Sequence, residues 1–292
     1  MDLRPSIFRF LAFSAALSVA AQTHPDFDGA WSSATAIPLE RPAELKDKPF
    51  YTREEAAELQ RKTRGADDDP LSRLEKGSLM FPSLRTSIIT EPANGLLPSL
   101  TPAAAAAKRD RLERLHNPAA ATDMGLQDRC LVFPTSVAPM IPYRYNSNYQ
   151  IVQTGDAVMV QAEMIHDARI IRLNRHSHLP ADIRQWLGDS VGHWEGATLV
   201  VDTTNFNDAG GFYGDAGGMY GWDRNMHVVE RFSLLDANTI LYRFEVEDPS
   251  AYTQPWKGEL TFRRVSQPPF EYACHEGNRD LGNILKLSAP RQ

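Results

Sequence analysis

From residue 149 onward the chain alternates apolar and polar residues in short runs separated by turn residues, and no helix-period stretch intervenes. Period-two alternation is the signature of strands with one buried face. The runs are Tyr149–Gln153, Ala157–His166, Ala168–Leu173, Thr198–Thr204, Met226–Leu234, Thr239–Glu247, Gly258–Arg264 and Phe270–Cys274. Thr154-Gly155-Asp156 and Asp236-Ala237-Asn238 are hairpin turns between neighbouring runs. Eight strands at antiparallel-hairpin spacing would expose two edges unless the sheet closes or doubles over. The expected fold is therefore mainly β, an antiparallel β-barrel or sandwich over residues 146–292.

The first half has a different composition. Fourteen of the twenty prolines fall at or before Pro142, whereas six of the eight histidines and four of the five tryptophans follow Tyr145. Residues 22–145 therefore read as a proline-rich, partly helical arm packing on the barrel. Thr52-Arg53-Glu54-Glu55 is a capping box opening a helix that stops near Gly65. Thr101-Pro102 sets an N-cap and an N1 proline before an alanine-rich helix ending near Asn117. Asp67-Asp68-Asp69-Pro70 between them reads as a solvated turn, since the spacing of a calcium loop is missing. In the second half, Asp208–Gly221 holds six glycines in fourteen residues and is either a lid or a plain connection.

Arg4 and Arg9 precede an apolar run from Phe10 to Ala21 that ends in small residues, the pattern of a secretory signal peptide over residues 1–21. Its removal leaves 29 basic and 36 acidic side chains, a net charge of −7 against −6 for the full chain. The basic footprint of a nucleic-acid binder is missing, and no later run is long enough to span a membrane. A periplasmic or secreted location follows. In such a compartment Cys130 and Cys274 are expected to form a disulfide closing a loop of 143 residues. A nucleophilic cysteine is the alternative.

The densest chemistry lies in Glu163-Met164-Ile165-His166-Asp167-Ala168-Arg169 and in Arg184-Gln185-Trp186-Leu187-Gly188-Asp189-Ser190, which continues to His193-Trp194-Glu195. Polar groups within sheet-forming sequence are costly unless paired or used. Continued alternation through Ala157–His166 places His166 on the face of Val158, Val160 and Ala162. In Met226–Leu234, Glu230 shares a face with Val228 and Phe232. An imidazole and a carboxylate facing one interior make either an acid–base pair or a satisfied core pair. His166 and Glu230 are the expected catalytic residues, with His193, Glu195 and His275 near the barrel mouth. Trp186, Trp194, Tyr242, Tyr272 and Arg169 are the expected substrate contacts. Asp167 and Arg169 are expected opposite His166, as an ion pair. His176-Ser177-His178 has a metal-compatible spacing but precedes Pro180, as a surface loop would. HExxH, CxxC, GxSxG, Walker and GxGxxG motifs are all missing, so neither metal nor cofactor is expected.

The stretches IRQWLGDSVGHWEGATLVVDTTNF, HVVERF, EVEDPSAYTQPW and EYACHEGN, with the opening FDGAWSSATAIPLERPAELKDKPFYTREEAAE, resemble a large family of exported bacterial proteins of unknown function. Its signatures EMIHDARII, GDS-x-GHWEG and ACHEGN are all present, and the resemblance covers nearly the whole chain after residue 21. It implies export and a single family but assigns no catalytic residue. A lipocalin-like barrel is the fold analogy. The expected function is a cofactor-independent acid–base enzyme: a lyase, hydratase, isomerase or hydrolase acting on a small apolar, aromatic or sugar-like molecule. The alternatives are a carrier of a hydrophobic ligand and an interaction module using the arm.

Overall fold

Alternation in the second half becomes a barrel whose closing strand comes from the first half. The computed structural model describes residues 24–65, 83–143, 146–175, 177–209, 211–212 and 221–288. The first half contributes β1 (Gly29–Ser32), α1 (Arg53–Gly65), β2 (Ile89–Glu91) and α2 (Pro102–His116). Then come β3 (Asn148–Gln153), β4 (Ala157–Ala162), β5 (Ala168–Arg172), β6 (Asp189–Glu195) and β7 (Thr198–Thr204). The chain continues through β8 (Gly211–Phe212), β9 (Gly221–Trp222), β10 (His227–Asp236), β11 (Thr239–Glu247), β12 (Trp256–Val265) and α3 (Asp280–Ser288). Among the described residues the sheet order is β1-β3-β4-β5-β6-β7-β10-β11-β12, and β1 also pairs with β12. Nine strands thus close a barrel, with β2 added beside β12; β8 and β9 pair only with each other.

Closure depends on a division of labour along β12. Arg263–Val265 pair with β1, whereas Lys257 and Gly258 pair with β2. A boundary at residue 145 therefore does not separate arm from barrel. The four-residue run GAWS of β1 is too short to be read as a strand by periodicity. A second departure is that β5 and β6 run parallel, and they share only two register pairs, Ile171–Ser190 and Arg172–Val191. The polar run of β6 hid it from pattern reading.

The barrel interior is an aromatic core. Trp31, Tyr149, Phe232, Tyr242 and Phe262 are all buried. Ring centroids lie 5.0 Å apart for Tyr149–Phe262, 4.8 Å for Phe232–Tyr242 and 5.4 Å for Tyr242–Phe262. Gly258 allows this packing, since a Cβ there would meet the Phe244 ring at 2.3 Å. Both expected helices form. The Thr52 amide donates to Glu55 Oε2 at 2.8 Å while the Glu55 amide donates to Thr52 Oγ1, and the Ala104 amide donates to Thr101 Oγ1.

Two expected strands differ. The run Ala157–His166 stops at Ala162, because residues 163–166 form a tight turn in which the Ala162 amide donates to the Asp167 carbonyl at 2.9 Å. Ile165 and His166 adopt φ of 63° and 58° there. The segment 270–274 is irregular. Its Phe270 amide donates to the buried Glu163 carboxylate, and its Tyr272 amide donates to His166 Nε2, so its hydrogen bonds go to side chains in place of a neighbouring strand. The signal segment, the Asp67–Pro70 turn, His176 and most of the glycine-rich stretch lie outside the described residues. Among the described residues no helix is long and apolar enough to cross a membrane.

The disulfide is present: Cys130 and Cys274 are bonded, with Cα atoms 5.7 Å apart. It ties the segment after β12 to the chain before β3. The chain-entropy argument assigns a loop of this length about 4–5 kcal/mol, and removing native disulfides typically costs about 2–5 kcal/mol. Replacing both cysteines by alanine should therefore lower the urea-unfolding free energy by about 2–5 kcal/mol. Thiol titration of the denatured, non-reduced wild type should find no free thiol.

Candidate functional site

Among the described residues, the barrel interior buries one ion pair. Arg169 on β5 and Glu230 on β10 are 3% and 0% exposed. Arg169 Nη2 donates to Glu230 Oε1 at 2.8 Å, and Nη1 donates to Oε2. The Tyr242 hydroxyl donates to Oε1 at 2.7 Å, and Thr203 Oγ1 lies 3.5 Å from Oε2. Burial and the Glu230 charge push the Tyr242 phenol well above its ordinary range. Burial alone would lower the Arg169 pKa, but Glu230 more than offsets it, so the guanidinium stays charged. Ser190 Oγ lies 2.9 Å from Thr203 Oγ1 and extends the cluster to β6.

His166 does not join Glu230. The turn at 163–166 resets the period-two count, leaving His166 exposed and turning Arg169 and Ile171 of β5 inward while Ile170 is 51% exposed. Arg169, expected on the opposite face beside Asp167, thus takes the partner assigned to His166. Glu230 and Tyr242 do face inward, as alternation requires.

The other nominated residues scatter. His193 and Glu195 are exposed on β6, 3.3 Å apart, and Glu195 also accepts from Arg231 at 2.6 Å. Both hydrogen bonds hold the Glu195 carboxyl below its usual range. His275 is exposed in the segment after β12. The Trp194 ring stacks on His24 at 4.4 Å and on Phe27 at 5.8 Å, so both partners are protein rings. With His193 it borders a hollow of about 560 Å³ near the ends of β5 and β6.

A hollow of about 610 Å³ opens at the other end of the β5–β6 seam, and it brings together the two polar stretches of the sequence. Asp167, Arg169, Ile170 and Arg172 line one side; Leu179, Arg184, Trp186, Leu187, Asp189 and Ser190 line the other. Two pairings between β5 and β6 leave the strands free to splay here. Of the expected substrate contacts, Arg169 and Trp186 meet in this hollow. Tyr242 lies behind Arg169, and Tyr272 lies with His166.

Asp167, read from sequence as half of a surface ion pair, has the most perturbed carboxyl on this surface. Burial raises its pKa from 3.8 to about 6, and Ser136, His166 and the Phe133 backbone oppose the rise without cancelling it. Its Oδ2 makes no hydrogen bond. A carboxyl that burial holds near 6 is suited to proton transfer near neutral pH.

The far wall is held by residues that carried no catalytic signature. Asn205 adopts φ 58° and donates from Nδ2 to the carbonyls of Leu179, Pro180 and Ile183 at 3.0, 3.1 and 3.2 Å. Gly188 has φ 71°, and a Cβ there would meet the Thr204 carbonyl oxygen at 2.6 Å. Outside the wall runs a charged chain. Arg172 Nη2 donates to both Asp189 oxygens at 2.8 Å, and His178 bridges Asp189 and Asp202 at 3.0 Å each. His227 lies 3.0 Å from Asp202. Asp202 raises the His227 pKa, and His227 and His178 outweigh burial to lower that of Asp202. Both ring nitrogens of His178 thus face carboxylates, away from a metal role.

No family model and no curated protein matches the chain. Among solved structures, the wild-type fluorescent protein UnaG is similar at 14% identity, over 40% of this chain and 72% of that chain, with a TM-score of 0.24. Two single-residue variants of UnaG give 15%, 41%, 72% and 0.25. Likeness at this level carries no argument about the site.

The buried pair makes a direct prediction. Removing one member strands the other charge, so Glu230→Leu or Arg169→Met should each cost about 3–5 kcal/mol. The double replacement by Leu and Met should recover most of that loss. Urea denaturation of the three variants measures it. Near-neutral single variants would mean that Glu230 has a role other than holding the core.

Proposed function

We propose that this protein is an exported acid–base enzyme working in the hollow beside β5, with Asp167 as the proton-transferring group. The observation that carries the proposal is the Asp167 carboxyl, held at about 6 by burial, on a residue that lines the same hollow as Arg172, Arg184 and Trp186. Above its pKa the carboxylate accepts a proton more readily than an ordinary aspartate; below it, the acid donates one. Guanidinium groups nearby would stabilise negative charge developing on a substrate oxygen. Trp186, Leu179 and Leu187 offer the apolar surface that a small organic molecule needs.

The chemistry this favours is proton transfer of the lyase, hydratase or isomerase kind. A serine hydrolase finds less support, since the Ser190 hydroxyl is bonded to Thr203 and not to a base. The carrier reading finds less support as well, because the aromatic rings of the core occupy the barrel interior where a cargo would sit. The disulfide is compatible with a periplasmic or extracellular site of action.

Two measurements test the assignment. The first is incubation with a panel of β-hydroxy and α,β-unsaturated carbonyl compounds in D₂O, followed by NMR. It should show exchange or interconversion that depends on a group titrating near 6 and is lost in Asp167→Asn. Binding of panel members without exchange or turnover would favour the carrier. The second needs no substrate. Because the folded-state pKa is raised, the folded protein holds the Asp167 proton more tightly than the unfolded chain between pH 4 and 6, so stability falls as pH rises through that window and stays reduced above it. Asp167→Asn should be neutral near pH 4 and stabilising by about 1 kcal/mol at pH 7.5, after allowance for partial solvent screening.

A further inference from the structure

Five charged side chains line the hollow beside β5: Asp167, Arg169, Arg172, Arg184 and Asp189. Two of the three guanidinium groups are already matched. Arg169 is paired with Glu230, and Arg172 with both oxygens of Asp189. Arg184 differs. Its Nη1 donates to two backbone carbonyls, Phe206 at 3.0 Å and Arg224 at 2.8 Å. Carbonyls orient a guanidinium without neutralising it, and no described carboxylate forms an ion pair with Arg184. A guanidinium has five donors. The two on Nη1 suffice for these bonds, which leaves the Nε–Nη2 edge without a bond to the described residues. That edge is a fork matched to the two oxygens of a carboxylate.

Resting on the assignment of this hollow as the site, we infer that its ligand is a monocarboxylate with a planar apolar body, its carboxylate held by Arg184 and its body against Trp186. Among the described residues lining the hollow, Arg184 is the cation without a carboxylate partner, which suits a single negative charge, and the Asp167 carboxylate disfavours a more highly charged group such as a phosphate dianion. Trp186 stands two residues from Arg184 on the same wall, and Leu179 and Leu187 continue the apolar surface. The anion and the flat body are thus read by neighbouring residues of one segment. Asn205 and Gly188 pin that segment to the barrel, so the two contacts keep a constant spacing.

Calorimetric titration of the full chain with benzoate, phenylacetate and cinnamate, each beside its neutral amide, tests the inference. At least one acid should bind about tenfold more tightly than its amide, and added salt should erode the preference. Arg184→Met should bring acid and amide to equal affinity, and Arg184→Lys should restore part of the difference. Because Arg184 also holds two backbone carbonyls, Trp186→Leu provides an independent readout: it should weaken acid and amide alike and leave their ratio unchanged. Equal binding of acids and amides by the wild type, binding of none, or a preference that survives Arg184→Met would each overturn the inference. Asp167→Asn separates it from the catalytic reading. The variant should keep the preference for the acid while losing turnover; turnover retained in Asp167→Asn would sink the catalytic role and leave the ligand class standing.

Discussion

The barrel depends on a charge pair placed where a core would ordinarily hold only hydrocarbon. Its weakest joint is the parallel seam between β5 and β6, with two register pairs against three to nine for the antiparallel neighbours around the barrel. Arg169 reaches from β5 across the interior to Glu230 on β10, the third strand beyond that seam, and binds it with both terminal nitrogens. The pair therefore spans the gap from inside. Burying two charges is expensive, and the arrangement holds because Tyr242 and Thr203 add to the bonds Glu230 receives. Such a pair is directional where an apolar contact is not, and it holds β5 in one position against the rest of the barrel.

A short seam has a second consequence. Before Ile171 and Ser190, where the β5–β6 ladder begins, the barrel wall is no longer a continuous ladder, and the segment between the two strands lines the hollow there. That segment carries Arg184 and Trp186 and is pinned by Asn205, whose left-handed backbone lets one side-chain amide reach three carbonyls. Burial makes the Asp167 carboxyl hard to ionise, whereas Arg172 and Asp189, which line the same hollow, settle as a pair. Structural economy and chemistry thus have one source: a place where the sheet is incomplete.

Much of this was legible in the residues. The alternation of β10 and β11 correctly sends Glu230, Tyr242, Phe244 and Val246 inward, since both strands are long, regular and paired on both sides. A capping box announces α1, and an N-cap with an N1 proline announces α2, because caps are local. The cysteine pair followed from count and compartment. A pattern does not continue across a break in the strand. Running the count of β4 through residues 163–166 places His166 inside, whereas the chain turns there. The turn puts His166 outside and Arg169 in the core, and it leaves Asp167 beside the hollow. A signal was available in the density of polar residues from Glu163 to Asp167, which suits a turn better than a buried strand end.

The sequence by itself determined the things that depend on near neighbours: the strand-forming half, the helix starts, and the two stretches where polar chemistry concentrates. Only the tertiary structure decided which groups meet. Arg169 and Glu230 are 61 residues apart and Arg172 and Asp189 seventeen, and no periodicity within either strand names the partner on another. Whether β1 closes the barrel is likewise a property of β12, which lies more than two hundred residues later. A carboxyl's pKa depends on what covers it and not on its place in the chain. For that reason Asp167, one polar residue among many in the sequence, stands out only once the wall is folded over it.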